Sequence, residues 1–482
     1  MSSLSELLPT GGGQNAVDFV ASGTLSSGQT VVLNSNGTVS AVAGSSSTVG
    51  SEAVFESAQT GETSCTFDSN SNKIVIAYRD EANSNYGTAV VGTVSGTSIS
   101  FGTPVVYESG YVFYPSAVFD SNSNKIVVAY RDVGNSSYGT AVVGTVSGTS
   151  ISFGSPVLFQ GSGRVFFVST VFDSNANKVV IAYADDVNSD YGTAIVGTVS
   201  GTSISFGSSV VFNTAYAIFN QTTFDSNSNK VVIAYRDNGN SDYGTAIVGT
   251  VSGTSISFGS ESVFNTATSD DMSIAFDSTN NKVVIAYQDY GNSFYGTAVV
   301  GTVSGTSISF GTPVVFESAT TSYTATTFDA SANKIVISYR DGGNSNYGTL
   351  IVGTVSGTSI SFESPVVFNA GTTNFISSTY EPNASKVVIA YQDLGNSSYG
   401  TSIVFQNGST NSADFIGITA DAISDTATGT VNVRGGINEA QTGLTIGADY
   451  YVQNDGSLST TASDVKVGQA ISATTINMMD LT

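Results

Sequence analysis

The sequence predicts an all-β chain: a seven-bladed β-propeller of about 52-residue, four-stranded blades, inserted into a small β domain made from both termini. Three observations lead there. One phrase returns with a 52-residue period, each copy reads as four short strands joined by tight turns, and both flanks carry β patterning without the phrase. The period is anchored at Phe67, Phe119, Phe172, Phe224, Phe276, Phe328 and Tyr380, spaced 52, 53, 52, 52, 52 and 52 residues apart. A propeller blade and a β-solenoid coil both repeat in this way.

The anatomy of one copy separates them. Residues 64–67 read as a short strand and residues 68–72 (DSNSN) as a polar turn. Residues 73–80 (KIVIAYRD) are a strand with apolar residues on both faces, so the sheet is covered on both sides. Residues 83–88 form a second turn and residues 89–94 a third strand; Ser95-Gly96 is a hairpin connection. Residues 97–101, continuing through residues 105–107, are the fourth strand. A solenoid gives parallel ladders without hairpins, so the hairpins favour the propeller.

Closure follows from unequal counts. The turn Asn-Ser-x-Tyr-Gly-Thr occurs seven times, from Asn83 to Asn396, but Gly-Thr-Val-Ser-Gly-Thr-Ser-Ile-Ser-Phe occurs six times, from Gly92 to Gly353. The missing phrase is echoed before the first copy, by residues 37–40 and 52–57. An N-terminal strand is therefore expected to complete the last blade, residues 46–57 closing with 379–405 and removing the open edges. The propeller then spans 46–405. Residues 1–45 and 406–482 leave it side by side as one β base domain, a small barrel or sandwich. Its expected parts include a hairpin over residues 19–33, a turn at 34–37, and strands at 415–419, 429–434, 448–453 and 465–472.

Composition bounds the chemistry. Net charge is −23 with 14 basic residues, which disfavours nucleic acid and anionic membrane as partners. There is no His and one Cys, so a disulfide framework, a Cys/His zinc site and a His-dependent triad are excluded. Cys65 reads as a small buried hydrophobe. No apolar run approaches the 18 or so residues of a spanning helix, and residues 1–8 carry no secretory signal. A repeat-rich acidic β protein without an export signal is expected in a virion, made in the host cytoplasm and released by lysis.

A resemblance agrees. SGTLSSGQTVVLNSNGTVSAV (22–42) with FIGITADAISDTATGTVNVRGGI (415–437) resembles small β domains of phage capsid-decoration and head-fibre proteins. Residues 443–472 look like the end of many phage fibre and appendage proteins. The phrase FDSNSNKIVIAYRD…NSNYGTAVVGTVSGTSISFG is similar to repeats in structural proteins of marine tailed phages. The resemblance implies a virion surface protein, a homo-oligomer on the particle whose partners are capsid or tail proteins. It carries over no site residues, and no cofactor or metal is expected.

Candidate sites divide into repeated and unrepeated positions. Asp68-x-Asn70-x-Asn72 begins like a calcium loop, but Lys73 and Arg79 stand where Gly and Glu are required, so it reads as an Asx turn. Asp80, Asp132, Asp185, Asp237, Asp289, Asp341 and Asp393 recur at one strand end, as a cation site or as caps of the next turn; their repetition favours caps. Arg79, Arg131, Arg236 and Arg340 precede four of them and read as framework.

The positions that refuse to repeat lie between the outer strand and the next Phe-Asp. They give Tyr111, Phe113 and Tyr114; then Arg164, Phe166 and Phe167; then Tyr216 and Phe219; then Asp270 and Asp271; then Tyr323; then Phe375. By ring symmetry these cluster on one face around a central channel, where aromatics among polar groups suit sugar stacking and protein contact. Relaxed loop drift is the competing reading. The main functional expectation is a non-enzymatic virion protein, fibre or decoration, that displays the propeller toward host surface glycan. The alternative is a propeller glycosidase or lyase, or a surface lectin, acting on polysaccharide.

Overall fold

A computed structural model of the chain describes residues 15–463 and 465–479. The reading of residues 1–8 lies outside the described residues. Those described form strands and short 3₁₀ turns with no α-helix. They divide into two compact units: Thr48–Gln406, and a unit drawn from both chain ends, up to Ser47 and from Asn407.

In the repeat unit every pairing is antiparallel. Lys73–Asp80 lies between the second half of Ala53–Asp68 and Tyr86–Ser95. Ser98–Phe101 folds back on the end of Tyr86–Ser95. The expected fourth strand, ending near Tyr107 before a loop, is corrected. Val105–Asp120 is one strand of 16 residues. It begins on the first repeat, with Val105 opposite Ala89, and ends on the second, with Phe119 opposite Ile126. The crossover is thus both the outer edge of one repeat and the innermost strand of the next. Only the third copy breaks it, into Val157–Gln160 and Val165–Asp173, where Gly161-Ser162-Gly163 gives the strand nothing to pack.

The last repeat receives its outer strand from the N-terminal side. Tyr399–Gln406 pairs with Thr48–Val49 and with the start of Ala53–Asp68, Phe405 opposite Val49 and Thr401 opposite Val54. The earlier echo at residues 37–40 takes no part. Val39–Ala41 instead pairs with Thr30–Leu33 across the turn at 34–37, and Val39 is wholly buried in the terminal unit.

Packing explains the doubly apolar strand. Val75 and Ala77 meet Ile126, Val128 and Tyr130 of the second repeat. Ile74, Ile76 and Tyr78 meet Val388, Ala390 and Val404 of the last repeat, together with Phe55. Burying each such aliphatic side chain contributes roughly 1.5–3 kcal/mol. The Gly of Tyr-Gly-Thr is required by this packing: a Cβ on Gly192 would lie 2.4 Å from the Phe212 ring, and one on Gly400 would lie 2.4 Å from the Phe55 ring. Hydroxyl pairs link innermost strands of neighbouring repeats, as in Ser116–Thr170 (2.8 Å) and Ser169–Thr222 (2.9 Å). Thr63 and Ser377 (2.9 Å) make the same link between the first and last repeats.

The polar turns are Asx turns. Asp277 Oδ1 accepts from the backbone N–H groups of Thr279 (3.0 Å) and Asn280 (2.9 Å), and Asp277 is buried. Asp277→Ala should therefore lower stability by about 1–2 kcal/mol in urea unfolding. An unchanged midpoint would show that the cap is dispensable.

In the terminal unit the two chain ends interleave. One sheet runs in the order Ala16–Val20, Thr428–Val433, Phe415–Thr419, Thr30–Leu33, Val39–Ala41. The expected hairpin over residues 19–33 is corrected, because two C-terminal strands stand between its halves. Val32, Phe415 and Ile418 of this sheet pack on Tyr450, Val452, Val467 and Ile476 of a second sheet, as in a sandwich.

Candidate functional site

The unrepeated residues fall where the long strand loses register. Phe113 faces Arg131, but the next pair is Ser116 with Ala129, so Tyr114 and Pro115 form a bulge. The first bulged residue is left-handed in six repeats: Tyr114 (φ 54°), Phe167 (51°), Phe219 (55°), Asp271 (44°), Tyr323 (52°) and Phe375 (49°). Glycine would fit there freely, yet none of the six is glycine. Each holds a conformation that costs of order 1–2 kcal/mol.

These residues touch from repeat to repeat. Ring centroids are 5.2 Å apart for Tyr114–Phe167, 5.1 Å for Phe167–Phe219 and 5.2 Å for Tyr323–Phe375. The first repeat has Glu62 at this place, and its carboxylate accepts the Tyr114 backbone N–H. Asp271 likewise accepts the Tyr323 backbone N–H. Thr63 Oγ1 donates to Phe375 O (2.6 Å). The result is a belt of five aromatic and two acidic side chains, all half-buried.

Sequence reasoning set the arginines aside as framework; they lie in the belt. Register puts Arg131 opposite Phe113 and Arg340 opposite Ser322. The Arg131 guanidinium sits 4.3 Å from the Phe113 ring centre, 5.1 Å from Tyr114 and 5.0 Å from Phe166. Arg79 covers Phe113 at 4.8 Å and pairs with Glu62 (3.4 Å) and Glu81 (2.7 Å). Arg236 is ion-paired to Asp270 and lies 5.5 Å from Phe219. Arg340 lies 4.7 Å from Tyr323 and donates to Asn374 Oδ1 (2.7 Å). The missed signal was antiparallel register, which sets a repeating position against a varying one. A second missed pair is Tyr290 and Phe294, on the turn after Asp289, with exposed rings 4.5 Å apart.

The remaining expected residues are placed as follows. Tyr111 stacks on Phe113 at 4.6 Å, and Tyr216 lies 6.2 Å from Phe167. Asp270 is buried against Arg236. Arg164 is exposed, 3.9 Å from Asp186. The recurring aspartates hold turns: Asp341 accepts from Gly343 N (2.9 Å) and Asn344 N (3.1 Å), and Asp80 from Asn83 N (3.0 Å). Asp185 differs, accepting from the Gln160 side chain (2.9 Å). Cys65, expected as a small buried hydrophobe, lies half-buried between the first and last repeats, where Ser377 Oγ donates to its sulfur (3.2 Å). Enclosure pushes its thiol up to about 12.

Burial, then the neighbouring Asp270, pushes Asp271 up to about 6. Its folded value exceeds its unfolded one, so the folded state binds the extra proton. The stabilising contribution is complete below about pH 4 and is lost as pH rises through about 6. Asp271→Asn should therefore flatten the fall in melting temperature between pH 4 and 7. An identical fall in both proteins would exclude Asp271 as its source.

The terminal unit separately holds a polar groove of about 530 Å³, lined by Ser27, Gly28, Gln441, Thr442, Tyr450 and Ser459. No helix among the described residues is long and apolar enough to cross a membrane.

No family model and no curated protein matches the chain. Among solved structures it resembles the BP39L lectin from Burkholderia pseudomallei, with a TM-score of 0.52 and 9% identity. The match covers 77% of this chain and 98% of the lectin. The likeness is one of fold: an all-β, propeller-like array of repeated antiparallel strands.

Proposed function

We propose that Thr48–Gln406 is a closed seven-bladed propeller, and that the chain is a carbohydrate-binding protein acting by recognition rather than catalysis. Closure is supported by the pairing of Thr48–Val49 with the last strand of the final repeat, and by Phe55 seated on Gly400. The binding reading is carried by one observation, the belt of aromatic rings, arginines and acids at the bulges. Half-buried rings beside fixed donors and acceptors offer stacking faces for sugar C–H groups and bonds for hydroxyls. The likeness in fold to a bacterial lectin accords with it. A glycan array probed with the intact chain tests the proposal: selective binding to a set of oligosaccharides is expected, and an array without a positive spot contradicts it.

A second reading sets this module on a phage particle, the terminal unit docking to capsid or tail proteins. The interleaving of both chain ends in one sheet favours it, because the repeats are then an insertion in sequence within a separate unit that can serve for attachment. Particles labelled by an antibody to this chain in negative stain are the expected result, and unlabelled particles count against it.

A further inference from the structure

The four arginines of the belt are not equivalent. Arg79 has Glu62 and Glu81, Arg236 has Asp242 and Asp270, and Arg340 has the Asn374 side-chain oxygen. Arg131 has no hydrogen bond or ion pair among the described residues, and its Nε is buried without an acceptor. Three rings hold it in place instead, so its planar fork is fixed before any ligand arrives. Tyr111 adjoins Phe113, ring centroids 4.6 Å apart, and extends the aromatic surface.

We propose that Arg131 makes this part of the belt selective for acidic glycans, its guanidinium taking the carboxylate of a uronic acid or the sulfate of a sugar ester while the sugar ring lies on the neighbouring aromatics. This rests on the carbohydrate-binding reading and names its ligand class. A fixed guanidinium meets two oxygens of such an anion with parallel N–H bonds, a match that neither a hydroxyl nor an ammonium reproduces. The chain is strongly acidic, at −23, so long-range attraction does not recruit such a ligand and the selectivity is local.

The test is an array of oligosaccharides in matched neutral, uronic-acid and sulfate-ester forms, read with the intact chain and with Arg131→Gln and Arg131→Lys. Glutamine is already housed at this place in two other repeats, as Gln288 and Gln392, so Arg131→Gln is expected to fold with an unchanged melting profile. The native chain should bind one acidic form at least about tenfold more tightly than its neutral counterpart. Which acidic form responds separates carboxylate from sulfate. Arg131→Gln should erase the preference, acidic and neutral forms then binding within about twofold of each other, and Arg131→Lys should recover only part of it. A preference that survives Arg131→Gln, or neutral forms bound as well as acidic ones, overturns this inference and leaves carbohydrate binding standing. An array with no bound member overturns both.

Discussion

Phe55→Ala is expected to destabilise the repeat unit by about 3–5 kcal/mol, as much as the same change at Phe212. Both rings are buried and occupy matching surroundings. Phe55 lies 5.2 Å from Tyr78 and 5.8 Å from Phe101; Phe212 lies 5.2 Å from Tyr235 and 5.7 Å from Phe258. Each also covers a glycine that admits no Cβ, Gly400 and Gly192. The two differ in chain position. Phe212 belongs to a middle repeat, whereas Phe55 reaches the last repeat from the other end of the unit. Were the N-terminal strand frayed, Phe55→Ala would cost little while Phe212→Ala kept its full effect. Equal losses in urea unfolding, within about 1 kcal/mol, are the result expected of a closed ring.

The second large effect concerns binding. Replacing Phe113 and Phe166 together by Ala should reduce affinity for any glycan the chain selects by at least about 100-fold. Both are half-buried and take part in the cluster that immobilises Arg131. Their loss removes stacking area and frees the guanidinium, and because both rings contact the same arginine the two losses are coupled and not simply additive. Folding should be less affected, because the equivalent positions hold Ile218, Asp270, Ser322 and Asn374 in other repeats. Retained affinity in a folded double variant would move binding away from the belt, and the groove at Gln441 would then be the next surface to alter.

Much of this architecture was legible in the sequence because repetition converts one strand pattern into many. The count of seven turns against six outer phrases pointed to a strand donated from the N-terminal side; Thr48–Val49 pairs with Phe405 and Gln406. The register of the donor was not legible: two segments echoed the phrase, and only tertiary pairing assigned residues 37–40 elsewhere. The hairpin expected over residues 19–33 failed for a related reason. Adjacent strands in sequence usually pair, and nothing local reveals that two strands from residues 415–433 intervene. At the site, divergence picked out Tyr114, Phe167, Phe219, Tyr323 and Phe375, but not their shared left-handed backbone, which no side-chain preference of Phe or Tyr announces. The arginines were hidden by their own regularity.

In the proposed ring, closure of the repeats gathers the bulged residues into one belt, and the single native cysteine gives direct access to it. Cys65 and Ser377 are 312 residues apart in sequence, yet Ser377 Oγ lies 3.2 Å from the Cys65 sulfur. Ser377→Cys, folded with oxidised glutathione because burial pushes the enclosed thiol far above its ordinary range, should form a disulfide across this gap. A closed ring gives no titratable thiol in the folded or denatured protein and faster migration on a non-reducing gel. Two thiols per chain after denaturation, with unchanged migration, would contradict it.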